Sequence, residues 1–154
     1  MSDNILVIPK VSIIIPIYNT APFLRETLDS ICNQSLKELD IILINDGSTD
    51  ESPDIIEEYA LRDHRIRYMT QPNQGQSVAR NNGLQLATGK YIYFMDSDDK
   101  LDTDALKECY NICEKDKLDF VFFDATVISA PDTSNTFNYC REGIINENKL
   151  WNGM

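Results

Sequence analysis

Asp96 and Asp98 stand one small residue apart in the run Phe94-Met95-Asp96-Ser97-Asp98-Asp99. A bent loop can turn both carboxylates toward one point, where neither tolerates the other's charge closely without a cation between them. A hard divalent ion meets that need. Mg²⁺ or Mn²⁺ takes oxygen ligands, commonly one or two carboxylates together with substrate phosphates. The same acids would also suit a solvated loop ahead of a helix capped by Asp102.

Two further polar motifs follow apolar runs. Tyr18-Asn19 follows Val11–Ile17, and Asp46-Gly47-Ser48-Thr49-Asp50 follows Leu39–Asn45. The second is turn chemistry with Asp50 read as a helix cap, but Asp46 sits where a buried run ends and can accept the imino proton of a uracil ring. Asn73-Gln74-Gly75 then precedes Ala79-Arg80-Asn81, and Arg80 can pair with a phosphate or a base carbonyl. His64, in the charged run Arg62-Asp63-His64-Arg65, reads as a solvated turn residue.

The elements that must position these groups alternate. Val11–Ile17 and Leu39–Asn45 read as strands buried on both faces, Ile66–Met69 as a shorter strand, and Tyr91–Met95 and Leu118–Phe123 as a fourth and fifth. Helical spacing connects them: Leu24, Leu28, Ile31 and Cys32 after a cap at Thr20, then Ile55, Ile56 and Tyr59, then a helix ending near Ala87 with Gly89 as its stop, then Asp102–Lys115. This order predicts an α/β fold with a mostly parallel central sheet and helices on both faces. In such sheets ligands bind at the carboxyl ends of the strands. The three polar motifs would therefore share one edge.

Composition narrows the classes. At 154 residues the chain suits one core domain, and its formal charge of −11 disfavours nucleic acid as a partner. A bound metal can still invert the local field for an anionic ligand. No run approaches the roughly 20 apolar residues of a membrane span. Cys32, Cys109, Cys113 and Cys140 come without a secretory signal, which points to a reducing compartment, the cytoplasm, including the inner face of the membrane. Cys109 and Cys113 fall in an apolar helical stripe with Leu106 and Tyr110 and read as core. After Ala125 the patterning weakens, so residues 1–125 are expected as the main domain and residues 126–154 as the start of a further, incomplete region.

The series Pro16-Ile17-Tyr18-Asn19, Ile44-Asn45-Asp46-Gly47-Ser48-Thr49-Asp50, Asn73–Leu84 and Gly89–Asp99 resembles the inverting glycosyltransferases of family 2, which have the GT-A fold. The resemblance covers about Val11 to Phe123. It implies transfer of a sugar from a nucleoside diphosphate sugar, UDP-linked, to a saccharide or lipid-linked acceptor hydroxyl, with Mn²⁺ or Mg²⁺ as cofactor. It implies that Pro16, Tyr18 and Asn19 line the nucleoside pocket, that Asp46 contacts the base and that Arg80 lies near the base or phosphates. Asp96 would face the ribose or the metal, and Asp98 would be the direct metal ligand with Asp99 beside it. Many members carry two acids where this chain has Asn45-Asp46. Members also place a catalytic base in an acceptor-side half, which is expected beyond Met154, since neither Glu142 nor Glu147 has a fitting context. The chain is thus expected to be truncated. A non-catalytic sugar-nucleotide-binding module and a nucleotidyltransferase remain as alternatives, although Ile17-Tyr18-Asn19-Thr20-Ala21-Pro22 replaces the glycine-rich loop of the latter. A dinucleotide-binding oxidoreductase is disfavoured by the lack of G-x-G-x-x-G.

Overall fold

A computed structural model gives the architecture, and it describes residues 8–123. In chain order the elements are β1 (Val11–Ile17), α1 (Ala21–Cys32), β2 (Leu39–Asn45), α2 (Ser52–Arg62), β3 (Ile66–Thr70), α3 (Gln76–Leu86), β4 (Tyr91–Phe94) and α4 (Ala105–Asp116). The four strands form one parallel sheet in the order β3-β2-β1-β4. The chain therefore builds outward from β1 in one direction and then crosses to its other side. That reversal creates a crevice at the carboxyl ends of β1 and β4.

Every residue of β1 and β2 is buried, which is why both read as mainly apolar runs rather than alternations. On one face Ile13, Ile15, Ile17, Ile41 and Leu43 pack with Leu24, Leu28 and Ile31 of α1, Ile55, Ile56 and Tyr59 of α2, and Leu106 of α4. On the other, Ile14, Ile42 and Ile44 pack with Ala79 of α3. Helices thus cover both faces, as expected. Each fully buried isoleucine contributes roughly 1.5–3 kcal/mol through the hydrophobic effect.

Two glycines set the closeness of this packing. A Cβ on Gly83 of α3 would stand 2.4 Å from Ile14 Cγ2, and one on Gly89 would stand 2.4 Å from the Ser12 backbone nitrogen. Gly89 is therefore not the expected helix stop, a position that Ala87 takes in extended conformation. It is small because the main chain crosses the start of β1 there. Beside it, Asp40 of β2 accepts bonds from Ser12 Oγ at 2.8 Å, Arg67 Nη2 at 2.7 Å and Thr88 Oγ1 at 2.9 Å. Burial would raise the Asp40 carboxyl, but these bonds outweigh it and hold it below the ordinary aspartate value.

Several sequence expectations need correcting. Leu118–Phe123 forms no strand. Its β-branched and aromatic residues permit an extended chain, but a strand exists only by pairing, and none of the described strands pairs with it. Helix α4 begins at Ala105 instead of Asp102, whose carboxylate accepts from Asp104 N–H in the preceding turn. Thr20 occupies the cap position of α1 but makes no side-chain cap bond. His64 is exposed in a turn, and Cys113 is buried with Leu106 as the helical stripe implied. Cys140, Glu142, Glu147 and residues 126–154 lie outside the described residues. No helix among the described residues is long and apolar enough to cross a membrane.

Candidate functional site

The crevice begins with Pro16. In β1 the Ile17 carbonyl faces β2, accepting Asp46 N–H at 2.8 Å, and the Ile14 carbonyl faces β4, accepting Met95 N–H at 3.1 Å. Pro16 shares the parity of Ile14, so its missing N–H would have faced β4. But β4 pairs with β1 only as far as Phe94 opposite Ile14. The next bond of the ladder would need an N–H at residue 16, so the proline sits in a central strand at the point where its pairing with β4 ends.

The two loops beside it are fastened together by Asn19, which adopts a left-handed φ of 53°. Its Oδ1 accepts Thr49 N–H at 2.7 Å and Asp50 N–H at 3.3 Å, while its own N–H donates to Ser48 Oγ at 3.1 Å. Asp50 continues the join. It accepts from the first N–H of α1, at Ala21, and from Ser52 N–H at the start of α2, each at 2.9 Å. One carboxylate thus caps both helices, so Thr20 is not needed for that task. Desolvation opposes the charge on Asp50, yet the bonds from Ala21 and Ser52 keep its carboxyl below the ordinary value. The α1 terminus is consequently satisfied from within the fold, and the Thr20 Oγ1 atom is left buried without a partner among the described residues.

Asp46 is only 3% exposed. Its Oδ1 accepts from Gln71 Nε2 at 2.8 Å and Gln74 N–H at 2.9 Å, and its Oδ2 accepts from Gly75 N–H at 2.9 Å. Gly47 permits this approach. With φ of 73°, its missing Cβ would stand 2.8 Å from Asn73 N.

Asp96 is reached from α3. Gln76 and Arg80, four residues apart and so on one helix face, both donate to its Oδ1, at 2.9 and 2.5 Å. Arg80 Nε is buried without a hydrogen-bond partner among the described residues. The turn is anchored from below by Thr27 Oγ1, which donates to the Ser97 carbonyl at 2.9 Å. Desolvation, and after it the charges of Asp96 and Asp98, raise the Asp99 carboxyl above its ordinary value. The loop concentrates negative charge.

These groups border a pocket of about 450 Å³, lined among others by Pro16, Tyr18, Thr20, Asp46, Asp96 and Asp98. Of the residues expected from sequence, Asn19 and Arg80 do not line it. Asn19 holds the loops, and Arg80 donates to Asp96, which does line it. Gln71 and Gln76 were not anticipated. The i, i+4 spacing of Gln76 and Arg80 was a usable signal, whereas nothing in the sequence ties Gln71 to Asp46. A larger cavity, about 870 Å³, lies at the amino ends of the strands, where Arg67 is engaged by Asp40 and Arg65 by Asp63. The acids that could bind a cation are at the opposite edge.

The profile of glycosyl transferase family 2 matches residues 12–152. The chain belongs to that family. It is 46% identical over 114 residues to the uncharacterized glycosyltransferase EpsJ of Bacillus subtilis (strain 168), covering 74% of this chain and 33% of that protein. It is 41% identical over 110 residues to the chondroitin synthase of Pasteurella multocida (strain Pm70), covering 71% and 11%. The crystal structure of S. aureus TarS 1-349 in complex with UDP-GlcNAc superposes with a TM-score of 0.65 at 29% identity, covering 69% of this chain and 31% of that one. The mannosyltransferase PcManGT from Pyrobaculum calidifontis, in complex with GDP-Man and Mn²⁺, does so at 0.56 and 29%, covering 60% and 28%. The fold is accordingly the expected GT-A type. The chain spans a third or less of the length of each of these proteins.

For this family 2 chain the fit of a divalent cation can be judged from its donors. No group of three His, Cys, Asp or Glu among the described residues could hold a metal alone. Two carboxylates do meet at the pocket. Asp98 is exposed, its side chain accepting no hydrogen bond from the described residues, and Asp96 keeps Oδ2 clear of the bonds made by Arg80 and Gln76. That set fits Mg²⁺ or Mn²⁺, which needs only one or two carboxylates when phosphates complete the shell.

Proposed function

We propose that the pocket binds a UDP-linked sugar and that the chain contributes the donor-binding part of an inverting, metal-dependent transfer to an acceptor hydroxyl. The observation that carries this reading is the convergence of Asp46, Tyr18 and the Asp96–Asp98 pair on one pocket of about 450 Å³ at the carboxyl edge of a parallel sheet. That size suits a small ligand. The complexes of TarS with UDP-GlcNAc and of PcManGT with GDP-Man and Mn²⁺ support it.

Each residue has a distinct task. Asp46 accepts from the base. Tyr18, half exposed at the rim, offers an aromatic face to it. Asp98, with Asp96 Oδ2, holds Mn²⁺ or Mg²⁺ against the diphosphate; Asp96 also reaches the ribose. The cation, when bound, neutralises the negative charge that grows on the departing diphosphate. Arg80 and Gln76 fix the rotamer of Asp96 so that Oδ2 faces the ligand. The acceptor, a saccharide or lipid-linked hydroxyl, and the base that deprotonates it are assigned to no described residue.

Calorimetric titration with UDP tests the donor site. Binding is expected with Mn²⁺ or Mg²⁺ and is expected to weaken at least about tenfold with a chelator or in Asp98→Ala, as loss of a charged ligand contact requires. Equal affinity with and without chelator would remove the metal from the site. Preference for GDP over UDP would remove the uridine assignment.

A further inference from the structure

Behind Asp46 lies a short chain of amides that family resemblance does not account for. Asn82 Nδ2 on α3 donates to Gln71 Oε1 at 2.6 Å, and Gln71 Nε2 donates to Asp46 Oδ1 at 2.8 Å. Gln71 is 5% exposed, so its amide has no water to compensate a wrong orientation. The three groups dictate one another's polarity. A carboxylate only accepts, so the Gln71 amino group must face Asp46; its carbonyl then faces Asn82, which must present its own amino group.

We infer that Asn82 and Gln71 are positioning residues that orient Asp46 to select a base bearing an N–H on its pairing edge, uracil rather than cytosine. This rests on the donor-site reading above. Gln71 Nε2, Gln74 N–H and Gly75 N–H take three of the roughly four acceptor sites of the carboxylate and leave one for the pocket it borders. What remains is a lone pair. Uracil meets it with its N3–H, whereas cytosine offers an acceptor at N3, and a buried site built around one hydrogen-bond polarity strongly rejects the other.

The substitution that separates orientation from packing is Asn82→Asp. It is nearly isosteric at a half-buried helix position, yet it replaces the amino donor by an acceptor. Gln71 can satisfy it only by turning its amino group away from Asp46 and presenting its carbonyl there. The carboxylate then loses a donor and swings from its position. Asn82→Ala, which merely releases Gln71, should act in the same direction but less.

Titrations with UDP, CDP and inorganic pyrophosphate, all with Mn²⁺, give the test. Asn82→Asp is expected to bind UDP about tenfold more weakly or worse and to lose much of the preference for UDP over CDP, with pyrophosphate binding unchanged. Wild-type affinity and wild-type preference in Asn82→Asp would overturn the positioning role and leave the donor site standing. Equal losses for UDP and pyrophosphate would also overturn it, because the change would then be general rather than at the base. Failure of the unaltered protein to bind UDP would remove both readings together.

Discussion

Arg80 and Gln76 converge on a single oxygen of Asp96, with Arg80 Nη2 at 2.5 Å from Oδ1 and the other oxygen, Oδ2, used by neither. The Arg80 and Asp96 side chains are 33% and 46% exposed, so the pair adds little to stability, about 0–1 kcal/mol. Its role is orientation. Arg80→Met is therefore expected to lower UDP affinity about tenfold while changing unfolding free energy by less than about 1 kcal/mol. Calorimetry and urea melts on the same samples measure both, and a variant with unchanged affinity would separate Arg80 from the site.

Acid sensitivity should come from the far side of the molecule. Arg65 donates to Asp63 from its backbone N–H, Nε and Nη2, and these bonds, opposed by desolvation, bring the Asp63 carboxyl down to about 2 from 3.8. A carboxyl depressed in the folded state stabilises fully above its unfolded value and loses that contribution as pH falls through the folded one. The window runs from about pH 4 to about pH 2. Asp63→Asn is expected to be on the order of 2 kcal/mol less stable at pH 5, with the gap to the unaltered protein narrowing at pH 3 and below. Denaturant melts across that range would contradict the assignment if the gap stayed constant.

The two glycines against the sheet should respond unequally to an added methyl. In Gly83→Ala the new carbon meets the Ile14 Cγ2 methyl, which branches at Cβ and can yield only by a rotamer change or a small shift, a conflict costing about 1–3 kcal/mol and partly offset by roughly 1 kcal/mol of helix propensity. In Gly89→Ala it meets backbone, 2.4 Å from Ser12 N and 2.7 Å from Val11 C. Main chain cannot yield as a side chain does. It would also push Thr88 and Gly89 N–H off Ser12 Oγ, so a loss above about 3 kcal/mol is expected. Chemical denaturation of both variants decides the order, and Gly83→Ala being the worse would refute it.

The strands of the sheet were legible in the residues because β1 and β2 are buried on both faces and are apolar throughout except at Ser12, Asp40 and Asn45. The helices were legible from their apolar spacing. Leu118–Phe123 misled because composition records the ability to extend and not the presence of a neighbour to pair with. Pro16, Tyr18, Asp46, Asp96 and Asp98 were legible as residues bordering one pocket because each lies at or just after the end of an apolar run, which places it at a strand tip. The supports were not. Gln71 contacts Asp46 across 25 residues of chain and Asn82 contacts Gln71 across 11, and no local pattern marks either contact. Asn19 is expected at the pocket, whereas its Oδ1 accepts from Thr49 and Asp50 N–H, because the sequence shows a polar side chain at a strand end but not which way it turns.

Pro16 has a further consequence for the sheet. An ordinary residue there would offer one more N–H on the side where β4 lies, and the backbone around Met95 and Asp96 could continue alongside β1 to accept it. The ladder would then grow upward and draw the acidic turn into the sheet. The ring forbids that growth by lacking a single hydrogen. No bulky group has to prop the strands apart, and the depth of the crevice is set by where pairing must stop.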